Sequence, residues 1–362
     1  MSSAEKVRLG DHLDFSNGTT SPVRDSDGCY PVYGANGLIG YAAEHNASGP
    51  LIVVGRVGSF CGSLRYCDSD VWVTDNAMIC RPKYSEETRY WYYALHNSGL
   101  NRHRAGSGQS LLNQGILRNV SIWVAGVSDR RRIGDVLGVL DDKIAANNRV
   151  IEAAETLMLA VVEQVIEHTP LSCLASRSTA SLGPQEFDDA VAYFSFPAFD
   201  GGAQPNVVDG RAIRSNKFVL SEPCVLFSKL NPRIPRVWNV VMLPSEMTLA
   251  STEFVVLRPI GVDGSALWSA LRQPDVLATL QQMVAGMTGS RQRIQPHELQ
   301  QVRVRDVRRL ATGSAQTLAG LGALCHTRRT ESAHLSSVRD ALIPLLMSGR
   351  VQVKDIEPMV PV

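Results

Sequence analysis

Two short loops carry the residue types best suited to touching a nucleic acid. One is Gly106-Ser107-Gly108-Gln109-Ser110-Leu111, and the other, 183 positions later, is Gly289-Ser290-Arg291-Gln292-Arg293-Ile294. Glycine frees the backbone for close approach and serine donates to a phosphate oxygen. Glutamine has the donor and acceptor to meet adenine bidentately, and arginine meets guanine in the same way. Arg102, His103 and Arg104 precede the first loop, while Arg291 and Arg293 flank Gln292 in the second and are alternative readers of bases. A Gly-Ser-x-Gln tetrapeptide taken alone reads equally well as a structural turn; its recurrence is what argues for function. Two apolar runs, Leu51-Ile52-Val53-Val54 and Val225-Leu226-Phe227, are each followed by a cation suited to a phosphate contact, Arg56 and Lys229.

Patterns that would carry catalysis are missing. There is no Gly-x-x-x-x-Gly-Lys-Ser/Thr phosphate loop, no Gly-x-Ser-x-Gly nucleophile elbow and no His-Glu-x-x-His. The Asn/Asp-Pro-Pro-aromatic tetrapeptide that amino-methyltransferases use to hold a flipped base is absent too. The eight histidines are scattered, and Asp141 and Asp142 read as the solvated flanks of a helix. Seven cysteines without a Cys-x-x-Cys pair read as buried, reduced thiols and leave no metal site to propose.

The elements that must position the two loops also come in duplicate. Upstream of each loop a strand-like run ends in Arg-Pro, Ala77-Met78-Ile79-Cys80-Arg81-Pro82 and Phe254-Val255-Val256-Leu257-Arg258-Pro259. Glycines at 34, 37 and 40 mark tight turns between strands, and Glu87 to Asn97 and Ser265 to Met283 read as supporting helices. Downstream of each loop lies a long helical stretch. In the first, Ile133, Leu137, Leu140, Ile144, Ile151, Ala154, Met158, Val161 and Val165 follow a heptad seam broken by Asn147, with Asp129 as N-cap. In the second, the seam runs through Ser314, Leu318, Leu321, Cys325, Arg328, Ser332, Leu335, Arg339, Leu342 and Leu346, with Pro344 in the last turn and Gly349 as the stop. The reading is α/β, with globules at 1–128 and 169–305, helices at 129–168 and 306–350, and a tail at 351–362. The polar mid-seam residues Asn147, Arg328 and Ser332 are either exposed or meet at the centre of an antiparallel helix pair and fix its register.

Composition is that of an ordinary globular chain, with 44% hydrophobic and 20% charged residues and a formal net charge of +1. No global basic field is present, so a nucleic-acid surface has to be local. No export signal and no apolar run near 18 residues is evident, which gives the expectation of a cytoplasmic protein without membrane contact.

The chain resembles the specificity subunits of type I restriction-modification systems over nearly its whole length. Leu9-Gly10-Asp11, Tyr33-Gly34-Ala35-Asn36-Gly37 with Ile39-Gly40, and Val54-Gly55-Arg56-x-Gly58 resemble that family's first target-recognition domain. Leu140-Asp141-Asp142-Lys143-Ile144 resembles its first spacer helix, and the string from Ser228 through Arg233 to Trp238 resembles a segment of such recognition domains. Two departures stand out. Val127-Ser128-Asp129-Arg130-Arg131 replaces the usual Pro-x-x-Glu-Gln lead-in, and Cys325 and Arg328 occupy the second seam where large aliphatics would serve better.

The resemblance implies two target-recognition domains separated by two long antiparallel helices that form an intramolecular coiled coil with a pseudo-twofold repeat. The helices pair through Leu137, Leu140, Ile144, Asn147 and Ile151 on one side and Leu318, Leu321, Arg328, Leu335 and Leu342 on the other. Each domain would read half of a split site in double-stranded DNA, with Arg56, Arg102, Arg104, Ser107 and Gln109 in the first and Lys229, Arg233, Ser290, Arg291, Gln292 and Arg293 in the second. The chain would bind no cofactor and do no chemistry. Two methyltransferase subunits would bring S-adenosylmethionine and methylate adenine, and restriction subunits using ATP and Mg would add cleavage. A helix of about 36 residues spans roughly 54 Å, enough to separate modules for half-sites about 34 Å apart. Two other readings compete: a scaffold whose two globules bind proteins and not DNA, and an enzyme with a dispersed site.

Overall fold

The computed structural model describes residues 4–104, 111–231, 234–284 and 292–355. The chain divides into two compact units: unit 1 comprises residues 1–142 and 335–362, and unit 2 comprises residues 143–334.

In unit 1 the apolar run at 51–55 forms β5 (Leu51–Gly55), buried along its whole length. It lies between β8 (Ala77–Pro82) and β6 (Leu64–Cys67), with β2 (Leu13–Asn17) beyond β8, all antiparallel. Strand alternation explains why no position of β5 is polar. Ile52 and Val54 enter a core with Tyr90, Trp91 and Leu137, and Leu51 and Val53 enter another with Val71, Val73 and Ile79. A smaller sheet orders β4 (Gly37–Ala42), β3 (Tyr30–Gly34) and β7 (Trp72–Val73), with β3 and β7 parallel. Helix α1 (Thr88–Ser98) supplies Tyr90 and Trp91 and stops at Gly99, whose φ of +64° is the left-handed cap that glycine adopts without strain. Helix α2 (Gln114–Asn119) leads into β9 (Ser121–Val124), which pairs with β1 (Glu5–Arg8).

Unit 2 repeats this connectivity. β16 (Cys224–Ser228), buried throughout, lies between β19 (Phe254–Pro259) and β17 (Val237–Val240), with β11 (Ala175–Ser178) beyond β19. Val225 and Phe227 face a core with Met158, Trp268 and Leu318, and Cys224 and Leu226 face one with Phe194, Trp238 and Phe254. The second sheet is larger, ordered β12 (Ser181–Leu182), β15 (Lys217–Val219), β18 (Met247–Ala250), β13 (Ala190–Phe194) and β14 (Asn206–Asp209), with β13 and β18 parallel. The helix expected from Ser265 to Met283 is two, α5 (Gly264–Leu271) and α6 (Pro274–Met283), because Pro274 cannot continue a helix. Helix α7 (Pro296–Gln301) leads into β20 (Arg303–Arg305), which pairs with β10 (His168–Pro170).

The long helices are α3 (Val127–Glu163) and α8 (Thr312–Met347). α3 starts two residues before the expected N-cap, so Asp129 lies in its first turn, and it ends well short of Pro170. Gly349, with φ +69°, follows the end of α8. In unit 1, Ile133 and Leu137 of α3 share a core with Ile343, Leu346 and Met347 of α8, and Leu342 packs against it. In unit 2, Ile151 and Ala154 cluster with Cys325 and Leu321, and Val162 takes the buried place expected of Val161. Leu140 is buried; Ile144, Arg328 and Leu335 are half-buried.

Polar groups tie these helices down in each unit. Asn147 is only 2% exposed; its Nδ2 donates to Glu331 Oε2 at 3.0 Å and to Ser332 Oγ at 3.2 Å. Glu331 also takes Arg328 Nη1 at 2.8 Å and lies 3.5 Å from Lys143 Nζ, and these cations with the Asn147 amide hold its carboxyl below the usual range. In unit 1, Asp141 accepts from Tyr93 and Arg339, and Asp142 accepts both Arg89 guanidinium nitrogens at 2.7 and 2.8 Å. The acidic pair is therefore an anchor and not a solvated flank. Arg130 is 1% exposed, ion-paired to Glu5 at 2.8 Å and Glu87 at 3.5 Å, with its guanidinium over Trp91. A buried arginine so compensated fixes the start of α3.

Candidate nucleic-acid interface

The β5–β6 hairpin of unit 1 and the β16–β17 hairpin of unit 2 close with loops of one design. In unit 1, Gly55 N donates to Ser63 O at 2.9 Å and Cys61 N to Gly58 O at 3.2 Å. In unit 2, Ser228 N donates to Arg236 O and Ile234 N to Asn231 O, both at 2.9 Å. Each unit 2 residue stands 173 positions after its counterpart. Gly58 and Asn231 share the turn position that needs positive φ, at +68° and +48°, and both are residue types that tolerate it.

Each hairpin loop is then stitched to the start of the segment that follows the Gly-Ser loop. Val57 bridges Leu111 and Leu112 N donates to Arg56 O at 2.9 Å; Leu230 bridges Arg293 and Ile294 N donates to Lys229 O at 2.9 Å. Arg56 and Lys229 are thus structural counterparts, positioned at the exit of the central strand by main-chain bonds on both sides. The same register pairs Leu111 with Arg293, so the counterpart of Gln292 by chain count is Ser110 and not Gln109. The expected equivalence of the two glutamines is off by one residue.

Ser107, Gln109, Arg233, Ser290 and Arg291 lie outside the described residues. Arg102 and Arg104 are exposed, and the Arg104 charge reaches Cys61, whose thiol burial otherwise pushes up. Arg56 is half-buried and donates weakly to Asp75 O at 3.4 Å, and its Nε is buried with no hydrogen-bond partner among the described residues. Gln292 is 6% exposed and its main-chain oxygen accepts from Asn231 N, whereas Arg293 is exposed and ion-paired to Glu253 at 2.8 Å. Burial lowers the Lys229 pKa; Glu253 opposes this and Arg293 and Arg177 add to it. Of the described residues of the second loop, Arg293 therefore reaches solvent and Gln292 is turned into the fold.

Side chains that sequence patterns did not single out join the unit 1 loop. Ser63 Oγ donates to Ala35 O at 2.6 Å, which brings the Tyr33–Gly37 turn to the hairpin. Arg65, Ser59, Phe60 and His96 line one cavity of about 420 Å³. Among the described residues, Arg56, Arg65, Arg102 and Arg104 make no ion pair, whereas Arg89, Arg130 and Arg339 of the same unit all do. No group of His, Cys, Asp and Glu among the described residues could hold a metal ion, and no described helix is long and apolar enough to cross a membrane. Cys29 and Cys173 are exposed, contrary to expectation; the other five cysteines are buried, and burial pushes Cys67 and Cys224 up to about 12.

Comparison with known proteins bears on these features. The family described as "Type I restriction modification DNA specificity domain" matches residues 1–156. The type I restriction enzyme EcoprrI specificity subunit of Escherichia coli is 24% identical over 136 residues, a match that covers 38% of this chain and only 33% of that relative. The crystal structure of the type I restriction-modification S subunit from M. genitalium superposes with a TM-score of 0.63 at 14% identity, covering 96% of both chains, so the fold is shared from end to end. The domain match is confined to residues 1–156, and the superposition over 96% of the chain shows a shared fold.

Proposed function

We propose that this chain reads a bipartite sequence in double-stranded DNA and directs adenine methylation by partner methyltransferase subunits. The observation that carries the reading is the duplicated hairpin loop. One main-chain design holds Arg56 in unit 1 and Lys229 in unit 2 against the segments that follow the Gly-Ser loops, so that one chain offers two recognition edges of one kind. Arg56 and Lys229 act on phosphates and fix the docking register; side chains of the flanking loops read base edges.

The helices act as spacer. The contacts of Asn147 with Ser332 and of Ile151 with Cys325 in unit 2, and of Asp141 with Arg339 in unit 1, run up α3 as they run down α8. They support an antiparallel intramolecular coiled coil in a pseudo-twofold repeat, with the Asn147 layer fixing register. The chain itself supplies no catalytic group: S-adenosylmethionine belongs to two methyltransferase subunits, and ATP and Mg to restriction subunits where these join. With a net charge of +1 the chain alone binds DNA loosely, and the partners close around the duplex.

The test is a four-residue insertion, about one helical turn or ~6 Å, between Asn147 and Ile151, with a matching insertion near Arg328. The gap between the two recognised half-sites is expected to lengthen while their letters stay unchanged. Changed letters with an unchanged gap would refute the spacer assignment. A complex whose DNA binding is insensitive to salt would favour the protein-binding scaffold instead.

A further inference from the structure

The unit 1 hairpin carries one side chain that neither phosphate contact nor core packing explains. Phe60 closes the turn Gly58–Phe60, belongs to none of the apolar cores and is 48% exposed. It shares a cavity wall with Arg65, Ser59, His96 and Asn101, and none of the residues lining that cavity is a carboxylate. Arg56 stands four residues before it, and the Arg104 charge reaches the next residue, Cys61. An aromatic ring beside cations that make no ion pair among the described residues suits a partner that is polyanionic yet presents an apolar group at the same edge. Duplex DNA does so in the major groove, through the C5 methyl of thymine.

Resting on the DNA-reading function above, we propose that Phe60 is a specificity-determining residue that reads a thymine methyl group in the half-site contacted by unit 1. The geometry favours this over a wedge between base pairs. A wedge needs both ring faces free to unstack a step, whereas Phe60 is about half covered within the unit. Gly58, with φ +68° and no atom within 4 Å of a would-be Cβ, lets the turn present the ring without crowding its approach. Unit 2 has Asn231 at the matching turn position, with Ile234 exposed three residues on, so the two hairpins share a backbone and differ in the side chains they offer.

The test uses the full chain in complex with its methyltransferase subunits and a duplex holding the motif methylated in cells. Each thymine of the motif, on either strand, is replaced in turn by deoxyuridine, which lacks only the methyl. One position is expected to lose roughly fourfold in binding, the worth of about one buried methyl. Phe60→Ala should abolish that difference and Phe60→Leu should keep part of it, both at an unchanged melting temperature. The idea is overturned if no position senses the methyl, if Phe60→Ala preserves the discrimination, or if it weakens all sequences equally with discrimination intact. Should Phe60→Ala melt early, Phe60→Leu and the unsubstituted chain still decide through the deoxyuridine scan. A complex that binds specifically but ignores every methyl contradicts only the role of Phe60, while one without sequence preference contradicts the proposed function.

Discussion

Units 1 and 2 hold the same hairpin in opposite electrostatic settings. Around the unit 1 loop, Arg56, Arg65, Arg102 and Arg104 have no carboxylate partner among the described residues, while Asp142, Glu5 with Glu87, and Asp141 pair with Arg89, Arg130 and Arg339 elsewhere in the unit. Around the unit 2 loop two described cations are engaged, Arg293 with Glu253 and Arg236 with both oxygens of Asp200. On the proposed DNA-reading function, a phosphate approaching Arg56 displaces no ion pair of the described residues, whereas one approaching Arg293 competes with Glu253. Shared backbone geometry thus does not imply a shared electrostatic setting.

The largest effect expected is on folding and lies on the structural side of that division. Arg130→Ala leaves Glu87 buried without its charge partner and removes the anchor of α3, which should cost ~3–5 kcal/mol. Chemical denaturation would check it, and a loss under 1 kcal/mol would mean that the buried pair is incidental.

Next in size is a pair of replacements in the second loop. With Gln292 buried and Arg293 exposed, Arg293→Ala should relax the base preference of the second half-site by ~1–3 kcal/mol. Gln292→Ala should instead lower the melting temperature and leave the preference intact. Sequencing of the methylated motif beside thermal melting separates the two, and the opposite pattern would restore Gln292 as the reader.

Arg56→Ala should weaken binding to all sequences and lower the slope of log K against log salt by about one unit, as loss of one phosphate contact does. Lys229→Ala should do the same to a smaller extent, because Glu253 already offsets part of its charge. Equal slopes for the two variants would erase the contrast between the units.

The smallest effect is a gain. Glu253→Gln frees Arg293 and removes the offset on Lys229, so DNA binding at low salt should tighten by about 0.5–1 kcal/mol, the worth of an exposed pair. Folding stability should hardly change. Weaker binding would indicate that Glu253 itself positions Arg293 for its base.

How much of this was legible in the sequence follows from physics. The two globules and two helices were readable because β5 and β16 are apolar at nearly every position and the seam from Ile133 to Met158 keeps its period. Arg130 was passed over because a charge interrupts an apolar pattern, although it stands three residues before Ile133, on the same seam. Asp141 and Asp142 looked solvated because their partners Tyr93, Arg89 and Arg339 come from elsewhere in the chain. The repeated Gly-Ser-x-Gln string marked the two segments as a repeat, but only the Val57–Leu111 and Leu230–Arg293 bridges set their register. Phe60 belongs to no pattern. The neighbouring signal was the match of Gly58 and Asn231, two residue types that accept positive φ at one turn position.

The central claim is that one chain, through two recognition edges and a spacer, sets where adenine is methylated. Its most direct test is methylome sequencing of cells that make the methyltransferase subunits with this chain and without it. The account predicts methylated adenines in a motif of two fixed blocks separated by a gap of constant length, present only when the chain is made. Methylation unchanged by its removal, or confined to one uninterrupted block, would contradict it.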